Sequence, residues 1–300
     1  ASGAIEDGHV TPDTPVVVPD AIQFGPDTIS EHRPHGTVSW TVHEIIQRSS
    51  NTGSILLAQM LGKERLHEYL KAFGFGDPTG LGFPNEAAGY LMHPDDWWIS
   101  SIGTIPIGQG ISVTPLQMLL AYNVIANGGT YLPPTLVGAT VDPDGSVRPA
   151  ELAEGRRVVT RQTADEMNLM LRSVVGADGT ARQAAVPGYT VAGKTGTARK
   201  PQPNGTYADE YGVTHYQATF VGFAPAEAPA VSVLVMVDDP RAGTIFGGEV
   251  AAPAFAAITQ HALQILETQP PETDLPAGGV PAQPDLQAQP LRRGVADPRD

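Results

Sequence analysis

Apolar residues along the first half of the chain recur at helical spacing, interrupted by short polar or proline-rich breaks. Ala1 to Asp7 reads as the end of a helix stopped by Gly8. A proline-rich stretch from Thr11 to Pro34 follows, broken only by the β-like run Val16-Val17-Val18. From Val38 the pattern turns helical. Trp40, Ile45 and Ile46 are apolar before Ser49-Ser50-Asn51, and Ile55, Leu56, Leu57 and Met60 after it. A further helix is predicted from Lys63 to Phe73, ended by Gly74 and Gly76.

Thr114-Pro115-Leu116-Gln117 has the form of a capping box with proline at the first helical position, so it opens a helix to about Ala126, before Gly128-Gly129. Thr163-Ala164-Asp165-Glu166 predicts a second box and a helix to about Val175. Three strand-like runs come next: Tyr189 to Thr197, Gln217 to Phe223 and Val231 to Val237. Val250 to Leu266 reads as a closing helix with Pro253 in its first turn. Helices, then strands, then a helix predict an α+β fold with an antiparallel sheet rather than a regular βαβ alternation. No internal repeat at a fixed period is present. Residues 268–300 hold 7 of the 28 prolines and almost no large apolar side chains, so they are expected to be a disordered tail behind one domain over residues 1–267.

With 41% hydrophobic and 17% charged residues the chain has material for a packed core, which excludes disorder throughout. A net charge of −14 leaves no broad basic surface, so nucleic acid is not an expected partner. The absence of cysteine excludes disulfides, thiolate nucleophiles and thiolate metal sites. No run approaches the length of a membrane span and no signal pattern opens the chain, which reads as soluble and acidic.

Lys194-Thr195-Gly196-Thr197 is the most specific string for chemistry. Lys194 is one of only four lysines, and beside two threonine hydroxyls it forms a cationic, donor-rich edge suited to a carboxylate. Gly196 removes a side chain between them, so a ligand's backbone could lie along the strand; the plainer reading is an exposed edge strand with a solvated lysine. Ser49-Ser50-Asn51 places a hydroxyl and an amide two residues apart between helices, able to relay a proton and hold a carbonyl; the plainer reading is a helix cap.

Taken together, Ser-x-Asn between helices and Lys-Thr-Gly on a later strand resemble the transpeptidase domain of penicillin-binding proteins, class B septal cell-division type. The likeness runs over most of residues 1–267. It is supported by Ile5-Glu6-Asp7-Gly8 with Val10-Thr11-Pro12-Asp13-Thr14, by His35-Gly36, by Gly74-Phe75-Gly76, by Ile107-Gly108-Gln109-Gly110 and by Phe220-Val221-Gly222-Phe223-Ala224-Pro225. The resemblance implies the penicillin-binding/β-lactamase-like fold and a serine D,D-transpeptidase that cross-links D-alanyl-D-alanine stem peptides of peptidoglycan and is acylated by β-lactams. In it Ser49 would relay protons, with Asn51 orienting the substrate amide or the catalytic lysine. Lys194 would supply positive potential, Thr195 and Thr197 would take the substrate carboxylate, and the Thr197 N–H would serve the oxyanion hole. It also implies an extracytoplasmic location, a membrane anchor outside this chain and division-machinery partners, with no cofactor or metal.

The family's nucleophile motif is Ser-x-x-Lys, and none of the twelve serines has lysine three residues on. The expectation is therefore a chain truncated at its N-terminus, lacking that motif and the first strands of the sheet and inactive alone. The run Val231 to Val237 would then be a central strand with an uncovered apolar edge. Gly188 to Thr195 satisfies the G-x-x-x-x-G-K-[ST] pattern of a nucleotide-binding P-loop, but Pro187 precedes it and Gly196 to Pro201 cannot open the helix it needs. A non-catalytic β-lactam sensor or division scaffold is the binding-only alternative. His43-Glu44-Ile45-Ile46-Gln47 falls one residue short of the zinc motif H-E-x-x-H and reads as an ordinary helical His–Glu pair. Asp95-Asp96 and Asp238-Asp239 could be paired carboxylates for acid/base work but read equally as solvated loop or strand ends, and Trp40, Trp97 and Trp98 could line a cleft but read more safely as core.

Overall fold

A computed structural model describes residues 1–241 and 243–270. Of residues 268–300, expected to be disordered, Thr268 to Pro270 are described and differ from that expectation, since the Thr268 carbonyl accepts from the Tyr189 hydroxyl at 2.7 Å and its N–H donates to the Leu263 carbonyl; the rest lies outside the described residues. In chain order the elements are α1 (Ser2–Glu6), β1 (Pro15–Val18), β2 (Ala21–Phe24), β3 (Asp27–Ser30), β4 (Val38–Thr41), α2 (Val42–Arg48), α3 (Asn51–Leu61) and α4 (Lys63–Ala72). There follow α5 (Ser101–Thr104), α6 (Pro115–Ala126), β5 (Thr130–Tyr131), β6 (Ala139–Val141), β7 (Val147–Pro149), β8 (Arg156–Arg157) and α7 (Arg161–Val175). The chain then lays down β9 (Ala192–Arg199), β10 (Tyr216–Ala224) and β11 (Val231–Asp238), and finishes with α8 (Gly247–Val250) and α9 (Ala252–Ile265).

The main sheet is antiparallel with order β11-β10-β9. Its middle strand is buried on both faces, as a strand covered on both sides must be. Phe220 turns toward α9, where its ring meets Phe255 edge-on at 4.6 Å, within a cluster that includes Val191, Ala252 and Leu263. Phe223 belongs instead to the larger cluster with Val42, Ile45, Leu57, Met170 and Leu171. The same strand therefore serves two core regions through residues of opposite parity. Beside it, β11 pairs only with β10, and among the described residues its other edge is unpaired, as the sequence led one to expect.

Four stretches differ from expectation. Val38 to Thr41 is a strand paired with β1, not the start of a helix, so Val38 and Trp40 pack toward the core at alternating positions. The helix begins after it because Thr41 accepts from the Glu44 N–H while Glu44 Oε2 accepts from the Thr41 N–H, a capping box the sequence reading passed over. The proline-rich stretch contains a second hairpin, β2–β3, besides β1. The α7 cap is Thr160, not Thr163: the Thr160 hydroxyl accepts from the Thr163 N–H, and Glu6 Oε2 in turn accepts from Thr160 N–H and hydroxyl at 2.9 Å each. The closing helix is divided at Ala251 into α8 and α9.

The capping box of α6 stands where the sequence put it, and its glutamine does a second job. Gln117 is buried, and its amide N–H groups donate to the carbonyls of Asp77 and Ala88, tying a long irregular loop to the helix start. The helix α1 is fixed at the other end by Asp7, which accepts two bonds from Arg65 and one from the Tyr69 hydroxyl on α4.

Candidate functional site

The turn between α2 and α3 is built around Ser49. Its backbone is left-handed, φ 59° and ψ 43°, and its N–H and that of Ser50 bond back to Ile46 and Ile45. Ser50, 2% exposed, then caps α3 by accepting from the Gly53 N–H at 2.9 Å. Gly53 has no room for a side chain, since a Cβ there would lie 2.8 Å from both Ile45 and Ser50 Oγ. The two helices thus approach closely at this turn and present the Ser49 hydroxyl toward β9.

Lys194 comes from the middle of β9, with β10 on one side of that strand and no strand on the other among the described residues. Its Nζ donates to Ser49 Oγ at 2.5 Å and lies 3.3 Å from both the Thr195 carbonyl and the Thr195 hydroxyl. Among the described residues no carboxylate forms an ion pair with it. Desolvation of the enclosed amine pushes its pKa down to about 8. Since the ammonium donates to Ser49 Oγ, the serine's own proton is free to point at a third group. An amine that donates to a hydroxyl whose own proton is free has the geometry to pass a proton onward.

The two threonines of the motif are engaged by elements that the sequence reading missed. The Thr195 hydroxyl is 3.1 Å from that of Thr180, and Thr197 Oγ1 accepts from the Gly247 N–H at 3.3 Å. Gly247 and Gly248 let α8 press onto the strands: a Cβ on Gly247 would fall 2.0 Å from the Thr219 carbonyl, and one on Gly248 would fall 2.1 Å from that of Thr180. The Gly-Gly pair at 247–248 was the available signal for this close approach. Gly196 is explained by its cross-strand neighbour as well, because a Cβ there would lie 2.3 Å from Thr219 Oγ1.

Ser49, Lys194 and Thr195 are thus brought into one bonded set. Asn51 is not part of it: its amide donates to the Ser30 carbonyl at 3.0 Å, so in this state it ties α3 to the β2–β3 hairpin. Glu31, one residue further on, accepts from the Ser50 hydroxyl at 2.6 Å, and from the N–H and hydroxyl of Thr52 at 2.8 and 2.7 Å. The His32 ring, next to Glu31 in the chain, meets Phe246, next to Gly247, edge-on at 4.8 Å.

The remaining candidates are used elsewhere. Gly193 to Thr195 lie inside a strand, without the strand-to-helix turn of a P-loop. Glu44 is spent on the Thr41 cap. Asp238 pairs with Lys200, and Asp239 with His215 and Arg241. Trp40 and Trp97 are partly buried, but Trp98 is 76% exposed and is not a core residue.

Comparison with known proteins identifies relatives of this chain. The family model described as the penicillin binding protein transpeptidase domain matches residues 1–260. The chain is 42% identical over 272 residues to penicillin-binding protein PbpB of Mycolicibacterium smegmatis, covering 88% of this chain and 41% of that protein. It is 38% identical over 232 residues to stage V sporulation protein D of Bacillus subtilis, covering 77% and 35%. The crystal structure of penicillin binding protein 3 from Mycobacterium tuberculosis complexed with ampicillin superposes with a TM-score of 0.82 at 39% identity, over 92% of this chain and 62% of that one. The chain spans about two fifths of the length of the first of these relatives.

Proposed function

The chain belongs to the penicillin-binding protein transpeptidase family, and on that premise we propose that it holds the substrate and relays protons for a peptidoglycan D,D-transpeptidase of the septal, class B type. In the family the nucleophile is the serine of a Ser-x-x-Lys motif, and no such motif occurs among these 300 residues. That serine attacks the penultimate carbonyl of a D-alanyl-D-alanine stem. The C–N bond to the last D-alanine breaks, and the proton lost by the serine is delivered to the departing amine. An amine from a neighbouring stem then takes the acyl group and closes the cross-link. β-Lactams enter as acyl donors whose leaving group stays tethered.

Within this scheme Ser49 passes a proton to the leaving nitrogen and Lys194 replenishes it. Lys194 also supplies positive charge beside the hydroxyls of Thr195 and Thr197, which receive the substrate carboxylate. The Thr197 N–H gives one oxyanion donor, a contact worth about 3 kcal/mol in the transition state. Asn51 turns from the Ser30 carbonyl to the substrate amide when a ligand arrives. The observation that carries the reading is the 2.5 Å contact between Lys194 Nζ and Ser49 Oγ, formed between two motifs 145 residues apart.

Residues 1–267 form the transpeptidase domain, acting on the extracytoplasmic face of the membrane where its polymer substrate lies, alongside membrane proteins of the division machinery. Among the described residues no helix is long and apolar enough to cross a membrane. The test is labelling with fluorescent penicillin. The 300-residue chain should take no covalent label, and a polypeptide that adds a Ser-x-x-Lys segment should take one at that serine. Specific labelling of the 300-residue chain would overturn the assignment. If the added segment carries no such motif, a non-catalytic sensor or scaffold is the better description.

A further inference from the structure

We propose that Glu31 is the positioning residue of the relay: its carboxylate fixes the turn that holds the Ser49 hydroxyl against Lys194. The inference rests on reading Ser49 as the proton relay. Ser49 sits in a left-handed conformation that costs a non-glycine residue about 1 kcal/mol, so the surrounding structure must hold it there. On the α2 side two backbone bonds do so. On the α3 side the work falls to Glu31, whose Oε1 collects the Ser50 hydroxyl, the Thr52 N–H and the Thr52 hydroxyl, all within 2.8 Å. These donors flank Asn51, and the first belongs to the residue next to Ser49.

Several features mark this as placement rather than ordinary surface charge. Ser50 and Thr52 are 2% and 0% exposed, so their hydroxyls have no water to fall back on. No lysine or arginine forms an ion pair with Glu31 among the described residues, which leaves the turn as its only partner. Glu31 is itself anchored, because its N–H donates to the Asp20 carbonyl at 2.8 Å and Asp20 in turn accepts from the N–H groups of His35 and Gly36. A carboxylate at this end of α3 is also favoured by the helix dipole, which strengthens the grip without changing its direction. Removing Glu31 leaves the Thr52 N–H without its acceptor, the Thr52 hydroxyl with the Pro19 carbonyl alone and Ser50 Oγ with only its bond from the Gly53 N–H, so the turn loosens and Ser49 can swing off the lysine.

The four lysines make this measurable in the 300-residue chain itself. With 13C-labelled lysine side chains, Lys194→Gln identifies the Lys194 resonance, which should titrate near pH 8 in the native chain. Ser49→Ala should move both the resonance and its midpoint, and Glu31→Ala should reproduce that movement. Glu31→Gln keeps an acceptor oxygen where the donors converge and should restore the native signal, which a purely structural loss would not. Should Glu31→Ala fail to fold, Glu31→Asp carries the same test, since it keeps the charge but withdraws it by one methylene. A Lys194 resonance left in place by the truncating variants while Ser49→Ala moves it overturns the role of Glu31. A resonance that Ser49→Ala also leaves in place overturns the serine–lysine pairing, and with it the functional reading on which the role depends.

Discussion

Lys194 and Ser49 share a hydrogen bond of 2.5 Å that joins the middle of an edge strand to the turn between two helices. The enclosed amine has its pKa pushed down to about 8 by desolvation, against 10.5 for a free lysine. Below pH 8 the folded chain must hold a charged amine out of water, and the penalty is present in full. Between pH 8 and 10.5 the unfolded chain still binds that proton and the folded chain has released it, so this group's contribution to stability improves as pH rises. Lys194→Met should abolish that rise and, near pH 7, recover at most roughly 3 kcal/mol before losses in packing and hydrogen bonding. Urea unfolding at pH 7 and pH 9.5 checks it. A native-minus-variant difference that does not change with pH would mean that the amine is solvated.

The same contact predicts a functional loss with little structural cost. In a polypeptide that carries the acylating serine, Ser49→Ala should slow acylation by penicillin about 100-fold, the lower range for losing a positioned proton donor. Stopped-flow acylation rates, read beside the melting temperature, separate the two effects. Acylation within threefold of native would remove Ser49 from the relay.

Gly196 and Thr219 face each other across β9 and β10, and a Cβ on Gly196 would lie 2.3 Å from the Thr219 hydroxyl. Gly196→Ala should therefore destabilise the sheet by about 1–3 kcal/mol through overpacking. Thr219→Ala, which removes the obstructing oxygen, should recover most of that loss in the double variant. Gly247→Ala should show no comparable rescue from any side-chain change, because its obstruction is the Thr219 backbone carbonyl at 2.0 Å. A thermal double-mutant cycle measures the coupling, and strict additivity of Gly196→Ala with Thr219→Ala would contradict the contact.

The difference between those two glycines shows what the sequence could reveal. Local signals that depend on one helix turn or one strand were readable: the Thr114–Gln117 box, the helix ends at Gly74 and Gly128, and the strands at 217 and 231. Thr160 and Thr163 are both threonines near the start of the same helix, and only the folded chain shows which hydroxyl accepts. Val38 to Thr41 misled because Trp40, Ile45 and Ile46 fit a helical period when the strand boundary at Thr41 is ignored. Motif pairing found Ser49 and Lys194. Glu31 and Thr180 carried no such signal, since their roles arise from contacts with segments 15 or more residues away, and Gly247 was marked only by the Gly-Gly pair at 247–248.

Asp7 predicts a response to acid. Hydrogen bonds from Arg65, helped by one from the Tyr69 hydroxyl, hold its pKa down at about 2, and they pin α1 to α4. A depressed carboxylate contributes its stability in full above its unfolded value of 3.8 and loses it as pH falls toward 2. Because Arg65 is half exposed, the contribution is about 1 kcal/mol after solvent screening. Asp7→Asn should remove that part of the acid sensitivity. Urea midpoints at pH 5 and pH 2.5 should converge for native and variant chains at the lower pH, and parallel curves would refute the assignment.

His215 predicts the opposite pH response. Its Nδ1 lies 2.9 Å from Asp239 and its Nε2 lies 3.1 Å from Asp209, so a carboxylate faces each ring nitrogen. Only the imidazolium can donate to both. A neutral ring donates to one and turns a lone pair on the other. The bonds it donates to Asp239 and Asp209 accordingly raise its pKa. The other charges nearby are Arg241, paired with Asp239, and Lys200, paired with Asp238. Asp209 also accepts from the N–H groups of Tyr211 and Val213, so the ring fastens the connection between β9 and β10 to the end of β11. A raised histidine contributes fully below its unfolded pKa, and the contribution disappears as pH rises through the folded value. Hydrogen exchange at Tyr211 and Val213, corrected for the intrinsic rate, should therefore be slow at pH 6 and faster at pH 9. His215→Gln, which cannot gain a proton, should exchange at one corrected rate across that range. Protection that is the same at both pH values in the native chain would mean the ring is never charged. In that case the β9–β10 connection, which continues the strand bearing Lys194, would be held by Asp209 and its backbone donors alone.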